Sequence, residues 1–146
     1  MKLHHSIILL CICLKISVSA ADMLVVTRQD SNIGPLTVTE LSQLWLKQIH
    51  QLSGVSCEVA DLFEKHPLRD EFYARVVGKS ANKLSAYWSI RVFRGEGFPP
   101  PAFQSIEDLI IWISAKQNRL GYIESEYLNE QLKTVYNATL SEGGVE

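Results

Sequence analysis

The alternation of hydrophobic and polar residues changes period along the chain, and each change marks a predicted element. Residues 23–27 are apolar and rich in β-branched side chains, as is typical of a strand. Residues 37–49 repeat their apolar positions at helical spacing behind Thr37 and Glu40, which have the spacing of a capping box. Residues 57–63 alternate in the manner of a strand. This part of the chain therefore predicts a strand, a helix and a strand.

A second helix is predicted to begin at Pro67, because the first helical position tolerates a residue without an N–H group. Leu68, Phe72 and Val76 give this helix an apolar stripe. Gly78 is predicted to end it, since glycine readily adopts the left-handed conformation of a helix C-terminus.

A third helix is predicted to follow the N-cap Ser80, with four large residues facing inward: Leu84, Tyr87, Trp88 and Val92. The aromatic members of this set, like Tyr122, are expected in the core rather than as a platform for a ligand. Residues 94–101, RGEGFPPP, then predict a stiff loop, because neither the glycines nor the prolines continue a helix.

The last part of the chain predicts one more long helix and two strands. Ser105 and Asp108 have capping-box spacing before an apolar helical stripe. Residues 120–125 and 133–138 are typical of strands, and residues 125–132 between them predict a short helix. The order of elements, β-α-β-α-α-loop-α-β-α-β, predicts an α/β fold with a small mixed sheet flanked by helices.

The N-terminus has the pattern of a secretory signal peptide. Lys2 precedes an apolar run over residues 7–14 that is too short to span a bilayer, and small residues follow up to Ala21. We therefore predict a signal peptide over residues 1–21, export to the periplasm and one domain over residues 22–138. Residues 139–146 are predicted to be a disordered tail.

Charge limits the class of partner. The 146-residue chain has a formal net charge of −2, and loss of the two lysines of the signal region would leave 12 basic against 16 acidic residues. Nucleic acid needs a dense cationic face, so no nucleic-acid partner is expected. No later apolar run reaches membrane-spanning length, so no stable membrane insertion is predicted after signal cleavage.

Few residues indicate chemistry. Cys57 is alone once the signal region is removed, so no disulfide is predicted, and it is expected to pack as a small hydrophobic residue. His50 and His66 are not at the spacing of a metal site, and nucleophile-elbow and phosphate-loop motifs are missing from the sequence. We predict no catalytic residue, no metal and no cofactor, and therefore a protein that is not an enzyme.

Four segments in order carry a resemblance to a known family: LWLKQ at 44–48, PLRDEFY at 67–73, AYW…VFRGEGFPP at 86–100 and LGYIES at 120–125. In this order and spacing they resemble the small substrate-binding-like proteins of bacterial phosphate ABC transporters. The resemblance implies one lobe of the periplasmic binding protein-like fold. It also implies ion transport, with an oxyanion held in a cleft without catalysis.

The resemblance also indicates where the family's phosphate site falls and how it differs here. If Phe72 matches the family's helix phenylalanine, the family's Ser-Gly-Thr turn falls on His66, Pro67 and Leu68. The family's arginine falls near Leu62. The turn then lacks hydroxyl groups, and Pro67 lacks an N–H group. We therefore expect a degraded oxyanion site.

Four residues remain candidates for binding an anion. His66 and Arg69 flank the start of the second helix, and Ser31 and Asn32 follow the first strand, where open α/β sheets place ligands. The alternative for Arg69 is a solvent-facing side chain beside the acidic residues that follow it.

Two functions follow from these observations. The first is an exported solute-binding-like domain that binds a small oxyanion such as phosphate, with a transporter permease or another envelope protein as its partner. The alternative is an envelope accessory or protein-interaction module without a small-molecule ligand. In that case the exposed aromatic residues of the segment 92–101 would form the docking patch.

Overall fold

The computed structural model describes residues 21–139, so the predicted signal peptide and most of the predicted tail lie outside the described residues. Within that range the strands are β1 (Met23–Arg28), β2 (Gln51–Leu52), β3 (Val55–Ser56), β4 (Glu58–Val59), β5 (Asp61–Leu62), β6 (Ala102–Phe103), β7 (Arg119–Glu124) and β8 (Leu132–Asn137). The α-helices are α1 (Val38–Trp45), α2 (Pro67–Phe72), α3 (Ala81–Phe93) and α4 (Ile106–Ser114).

The central sheet has four strands in the order β4-β7-β1-β8. β1 lies antiparallel to both β7 and β8, whereas β4 at the edge is parallel to β7. β1 is buried along most of its length because it has a strand on either side. This mixed sheet with flanking helices confirms the predicted fold class.

Two small pairs of strands complete the architecture. β5 and β6 pair in parallel and form a separate two-stranded sheet, in which β5 directly follows the edge strand β4 along the chain. β2 and β3 form a hairpin around Ser53 and Gly54, whose φ angles are 48° and 83°. The sequence predicted only a turn here, because the flanking strands are too short to give a period of two.

Helix α1 is held at its start by the predicted capping box. The Glu40 carboxylate accepts from the Thr37 N–H at 2.8 Å, and the Thr37 hydroxyl accepts from the Glu40 N–H at 3.3 Å. The helix ends at Trp45, earlier than its apolar pattern indicated. The Trp45 indole N–H donates to the Ala60 carbonyl at 3.2 Å, which fixes α1 against the strand region.

Helix α2 begins at Pro67 as predicted and continues as one π-helical stretch over Tyr73–Val77. Gly78 ends this stretch in the left-handed conformation at φ 71°. The predicted stripe of Leu68, Phe72 and Val76 is buried, and Tyr73 is buried beside it. Tyr73 lies one α-helical turn after Arg69, to whose carbonyl its N–H donates, so its place on the core side is set before the π stretch widens the helix.

Helix α3 begins after the predicted N-cap Ser80, whose hydroxyl accepts from the Lys83 N–H. Leu84 and Trp88 are buried, and Tyr87 is half-buried. The prediction that Val92 faces inward is wrong, because its side chain is 42% exposed near the end of the helix.

The end of the chain differs from prediction in one element. Residues 125–132 do not form a helix: only Ser125–Tyr127 make a single 3-10 turn before β8. Both neighbouring strands are as predicted. Helix α4 packs so closely on β7 that a Cβ atom on Gly121 would lie 2.6 Å from the terminal methyl group of Ile113, so a larger residue here would make that side chain shift.

The core beneath α1 and α2 is aromatic. Phe72 stacks on Tyr122 with ring centroids 4.1 Å apart, and Trp45 lies 4.8 Å from Phe72. Tyr73 meets Phe72 edge-on at 5.6 Å. These rings join α1, α2 and β7 into one packed unit, and this unit surrounds the polar groups of the candidate site.

Candidate functional site

The sheet topology separates the four predicted binding residues into two pairs. β4 runs parallel to β7, and β7 runs antiparallel to β1. The C-terminal ends of β4 and β1 therefore lie at opposite ends of the strands, on opposite sides of the sheet's hydrogen-bonding direction. Ser31 and Asn32 follow β1, whereas His66 and Arg69 follow β4 and β5. One small anion therefore cannot contact both pairs.

The pair after β1 is engaged within its own loop. The Ser31 hydroxyl is buried and accepts from the Ile33 N–H at 3.1 Å, while the Ser31 carbonyl accepts from Lys133 Nζ at 2.6 Å. Asn32 is exposed and lies at the mouth of a hollow of about 190 Å³ between this loop and the β2–β3 hairpin. Both oxygens of Ser31 therefore stabilise the loop, whereas the Asn32 side chain is exposed to solvent.

His66 is the N-cap of α2. Its Nδ1 accepts from the Leu68 N–H at 3.2 Å, and its ring meets the Phe63 ring edge-on at 5.7 Å. An imidazole that accepts through Nδ1 carries its proton on Nε2 in the neutral form. His66 is half-buried and can therefore present one N–H donor outward.

The backbone donors at the start of α2 are nearly all engaged. Pro67 has none, the Leu68 N–H donates to the His66 side chain, and the Arg69 N–H donates to the His66 carbonyl at 3.0 Å. Any anion here must be bound mainly by side chains.

The Arg69 side chain points inward rather than to solvent. It is only 14% exposed, and its Nε lies 3.9 Å from a carboxylate oxygen of Asp61. Its guanidinium carbon lies 5.1 Å from the ring centroid of Tyr73. The buried Nε has no hydrogen-bond partner among residues 21–139. Arg69 is thus a buried cation whose donors are incompletely engaged.

Asp61 is the centre of this cluster, and the sequence indicated it only weakly. Its carboxylate accepts from the Tyr73 hydroxyl at 2.7 Å and from the Tyr122 hydroxyl at 3.2 Å. The Tyr122 oxygen in turn accepts from the Leu62 N–H at 3.1 Å. The one available signal was an acidic residue inside the apolar strand pattern of residues 57–63.

Burial dominates the protonation of the cluster. Removal from water raises the pKa of Asp61 to about 6, although the Tyr73 hydroxyl and the Arg69 charge act in the opposite direction. Burial, together with the Asp61 charge, raises the pKa of both Tyr73 and Tyr122 well above the usual value. The tyrosines therefore remain hydrogen-bond donors at neutral pH, and Asp61 changes charge near pH 6.

Other candidate chemistry is limited in the described part of the chain. Residues 21–139 contain no group of three or more His, Cys, Asp or Glu side chains placed to hold a metal ion. Cys57 is a free, half-buried thiol whose pKa is raised by burial. Across the same residues no helix is both long and apolar enough to cross a membrane.

Comparison with known proteins gives structural similarity alone. No protein-family model and no curated protein matches the sequence. One similar structure is assigned as a phosphate ABC transporter substrate-binding protein of Clostridium perfringens, with bound phosphate: TM-score 0.63, 16% identity, 80% of this chain and 45% of that chain. Another is an ABC-type phosphate transport receptor of Vibrio cholerae: TM-score 0.62, 16% identity, 80% of this chain and 46% of that chain.

At 16% identity these similarities show the fold, and the chain spans less than half the length of either structure. The described residues therefore have a mixed α/β fold that matches a single lobe of periplasmic binding protein-like phosphate-binding proteins.

Proposed function

We propose that this chain is an exported, solute-binding-like domain that binds a small oxyanion such as phosphate weakly, with Arg69 and His66 as its donors. The observation that carries the proposal is the buried Arg69 guanidinium, whose Nε has no acceptor among residues 21–139. His66 stands three residues before it at the start of α2. The fold, shared with phosphate-transport binding proteins, supports the same function.

Weak binding follows from the number of donors. Pro67 offers no N–H, and the next two N–H groups already donate to His66. Each missing hydrogen bond to a charged group costs about 1.5–3 kcal/mol, so a site without these donors binds orders of magnitude less tightly. We therefore expect a millimolar rather than a micromolar site.

Asp61 is expected to oppose anion binding, because it holds the same guanidinium. Above pH 6 its carboxylate is charged and compensates Arg69. Below pH 6 the carboxyl is neutral, and the positive charge of Arg69 is available to an external anion. Affinity for an anion of constant charge should therefore rise as the pH falls.

The cellular setting is part of the proposal. The basic start, short apolar run and small residues of positions 1–21 support export through a signal peptide to the periplasm. In that setting, transporter permeases and other envelope proteins are the expected class of partner.

Thermal unfolding and calorimetry with sulfate test the proposal, because sulfate keeps its charge between pH 5 and 7.5. At tenfold excess over a millimolar dissociation constant, binding adds about 1.4 kcal/mol to the free energy of unfolding, which is a measurable shift. The shift should be larger at pH 5. The shift caused by phosphate is then compared with the shift caused by sulfate at pH 7.5.

The matched variants are Arg69→Gln and Arg94→Gln, since Arg94 is 65% exposed and outside the cluster. Arg69→Gln should abolish the shift and Arg69→Lys should retain part of it, while Arg94→Gln should leave it unchanged. No shift in the native protein, or equal losses in the two glutamine variants, would rule out this site.

A further inference from the structure

The outer face of α3 is uncharged and partly apolar. We define it by Ser85, Ala86, Ser89, Ile90 and Phe93, all exposed. Phe93 is 92% and Ile90 is 52% exposed. A surface helix normally has charged or polar residues on its solvent side, so this outer face is unusual for one that contacts only water.

The loop after α3 extends the same surface. Phe98 is 74% exposed, and Pro99 forms one wall of an open hollow of about 540 Å³. Ser85, Trp88 and Ser89 line this hollow together with Phe93 at its rim. The surface therefore combines a projecting aromatic ring with an adjacent cavity on the same helix.

We propose that the outer face of α3 binds a second copy of this chain. The two α3 helices lie antiparallel across a two-fold axis near Ser89, and Phe93 of each copy enters the hollow of the other. This proposal goes beyond the oxyanion-binding function and does not depend on it.

The spacing along the helix makes the surface complementary to itself. In an antiparallel pair centred on Ser89, Phe93 lies four residues after the axis and therefore opposite Ser85, four residues before it. A large side chain thus meets a small one in both copies at once. A parallel pair would instead place Phe93 against Phe93 and leave both hollows empty.

The central serine can be buried without losing a hydrogen bond. The Ser89 hydroxyl donates to the Ser85 carbonyl of its own helix at 2.8 Å. Its donor is therefore already engaged, and covering it removes no essential contact with water. Small side chains at both positions also allow two helix backbones to approach closely.

Charge favours the antiparallel arrangement. Lys83 is exposed near the start of α3, and Glu96 is exposed in the loop after its end, where its carboxylate lies 3.9 Å from Arg94 Nη1 of its own chain. Antiparallel packing brings Lys83 of one copy near Glu96 of the other. The first turn of α3 has no acidic residue of its own, so a glutamate from the second copy would also interact favourably with the helix dipole.

The area predicts a weak dimer. Phe93, Phe98, Ile90 and the 42%-exposed Val92 offer on the order of 450 Å² per copy, since a phenylalanine buries 150–250 Å². The total of about 900 Å² for two copies is below the roughly 1,200 Å² at which stable specific interfaces begin, and is of the size of weak, transient complexes. We therefore expect a dissociation constant in the micromolar range, with monomers at high dilution.

Sedimentation velocity of the full chain between about 1 and 500 µM tests the proposal over the range in which such interfaces dissociate. The average mass should rise from the monomer value of 16.5 kDa toward twice that value. Phe93→Asp should weaken association at least tenfold. Ile111→Asp, at a side chain 69% exposed on α4, should not weaken it. Circular dichroism checks that both variants fold.

Charge reversal tests the orientation. Lys83→Glu and Glu96→Lys should each weaken association several-fold, and the double variant should restore it. A native chain that stays monomeric at 500 µM overturns the proposal, and so does equal weakening by Phe93→Asp and Ile111→Asp. Failure of the double variant to restore association overturns the antiparallel arrangement.

Discussion

The regions around α2 and around α3 both depart from the usual distribution of polar and apolar residues. The first buries polar and charged groups, and the second exposes apolar ones. Around α2 the protein interior contains the Asp61 carboxylate. The hydroxyl groups of Tyr73 and Tyr122 and the guanidinium of Arg69 surround it. Along α3 and the loop after it, Ile90, Phe93 and Phe98 are exposed to water. One region buries charge and the other exposes apolar area.

The difference separates structural from intermolecular roles. The Asp61 oxygens have hydrogen-bond partners inside the protein, and within this cluster the Arg69 Nε is a buried donor without an acceptor among the described residues. On the outer face of α3, Phe93 is 92% and Ile90 is 52% exposed in the described part of the chain. We therefore expect the core around α2 to dominate stability and to bind an anion through Arg69 and His66, whereas the outer face of α3 contributes little stability and acts through another molecule.

The largest test compares two phenylalanines. Phe72 is fully buried and stacks on Tyr122, while Phe93 is 92% exposed. Phe72→Ala should lower the free energy of unfolding by about 3–5 kcal/mol, because it removes buried area and leaves a cavity. Phe93→Ala should change it by no more than about 0.5 kcal/mol at concentrations where the chain is monomeric. Urea unfolding at low micromolar concentration measures both, and similar losses would contradict the division.

The pH dependence of stability tests the buried charge. The pKa of Asp61 is about 6 in the folded protein and near its ordinary value of 3.8 in the unfolded chain. The folded state therefore binds the proton more tightly, so this group stabilises the fold fully below pH 4. That stabilisation is lost as the pH rises to 6. The complete loss, from well below pH 3.8 to well above pH 6, is about 3 kcal/mol, and about 2 kcal/mol of it falls between pH 4 and 6.

Asp61→Asn isolates that contribution, because an amide does not titrate. Asp30 and Glu58 have a lowered pKa in the folded protein, so they give the opposite slope as the pH falls below 4. Their effect is common to both proteins and cancels in the difference. The difference in the free energy of unfolding between native protein and variant should change by roughly 2 kcal/mol between pH 4 and 7. Parallel curves would show that Asp61 is accessible to solvent.

The sequence predicted most of the elements because their signals are local. Each residue that begins or ends a helix acts within one turn of it. Examples are the N-caps Thr37 and Ser80, Pro67 at the first position of α2, and Gly78 at the end of the π-helical stretch. The order of those elements then limits the fold class. The β2–β3 hairpin and the 3-10 turn after β7 were missed, because two- and three-residue elements show no period.

The candidate site was less predictable because it depends on contacts distant in sequence. Asp61 and Tyr122 are separated by 61 positions, and only the sheet brings their side chains together. The Tyr73 hydroxyl meets Asp61 from twelve positions away, and nothing in the helical pattern of α2 indicates that contact. The sequence indicated Arg69 from its place at the start of α2, but not that its charge faces a buried carboxylate.

A smaller effect distinguishes two tyrosine hydroxyls. The Tyr73 hydroxyl donates to the buried Asp61 carboxylate at 2.7 Å. The Tyr87 hydroxyl, on the inner side of α3, donates to the neutral Leu46 carbonyl at 2.7 Å and accepts from Arg91 Nη1 at 2.9 Å. Tyr73→Phe should cost about 1.5–3 kcal/mol, because a buried charge loses a donor, and Tyr87→Phe about 1 kcal/mol, because the half-buried Arg91 keeps access to water. Tyr73→Phe should also raise the pKa of Asp61 further. Equal costs at pH 7.5 would mean that Asp61 is uncharged there.

The smallest effect concerns how the two helices begin. The Ser80 hydroxyl accepts from an N–H group of the first turn of α3, so Ser80→Ala should cost about 1 kcal/mol, and Ser80→Asp should preserve stability. His66→Ala should cost less at the start of α2, since Pro67 leaves one N–H group fewer in that turn to satisfy. Chemical denaturation of the three variants at pH 7.5 measures the order. A larger loss for His66→Ala would indicate that the imidazole stabilises the fold through its contact with the Phe63 ring as well as by capping α2.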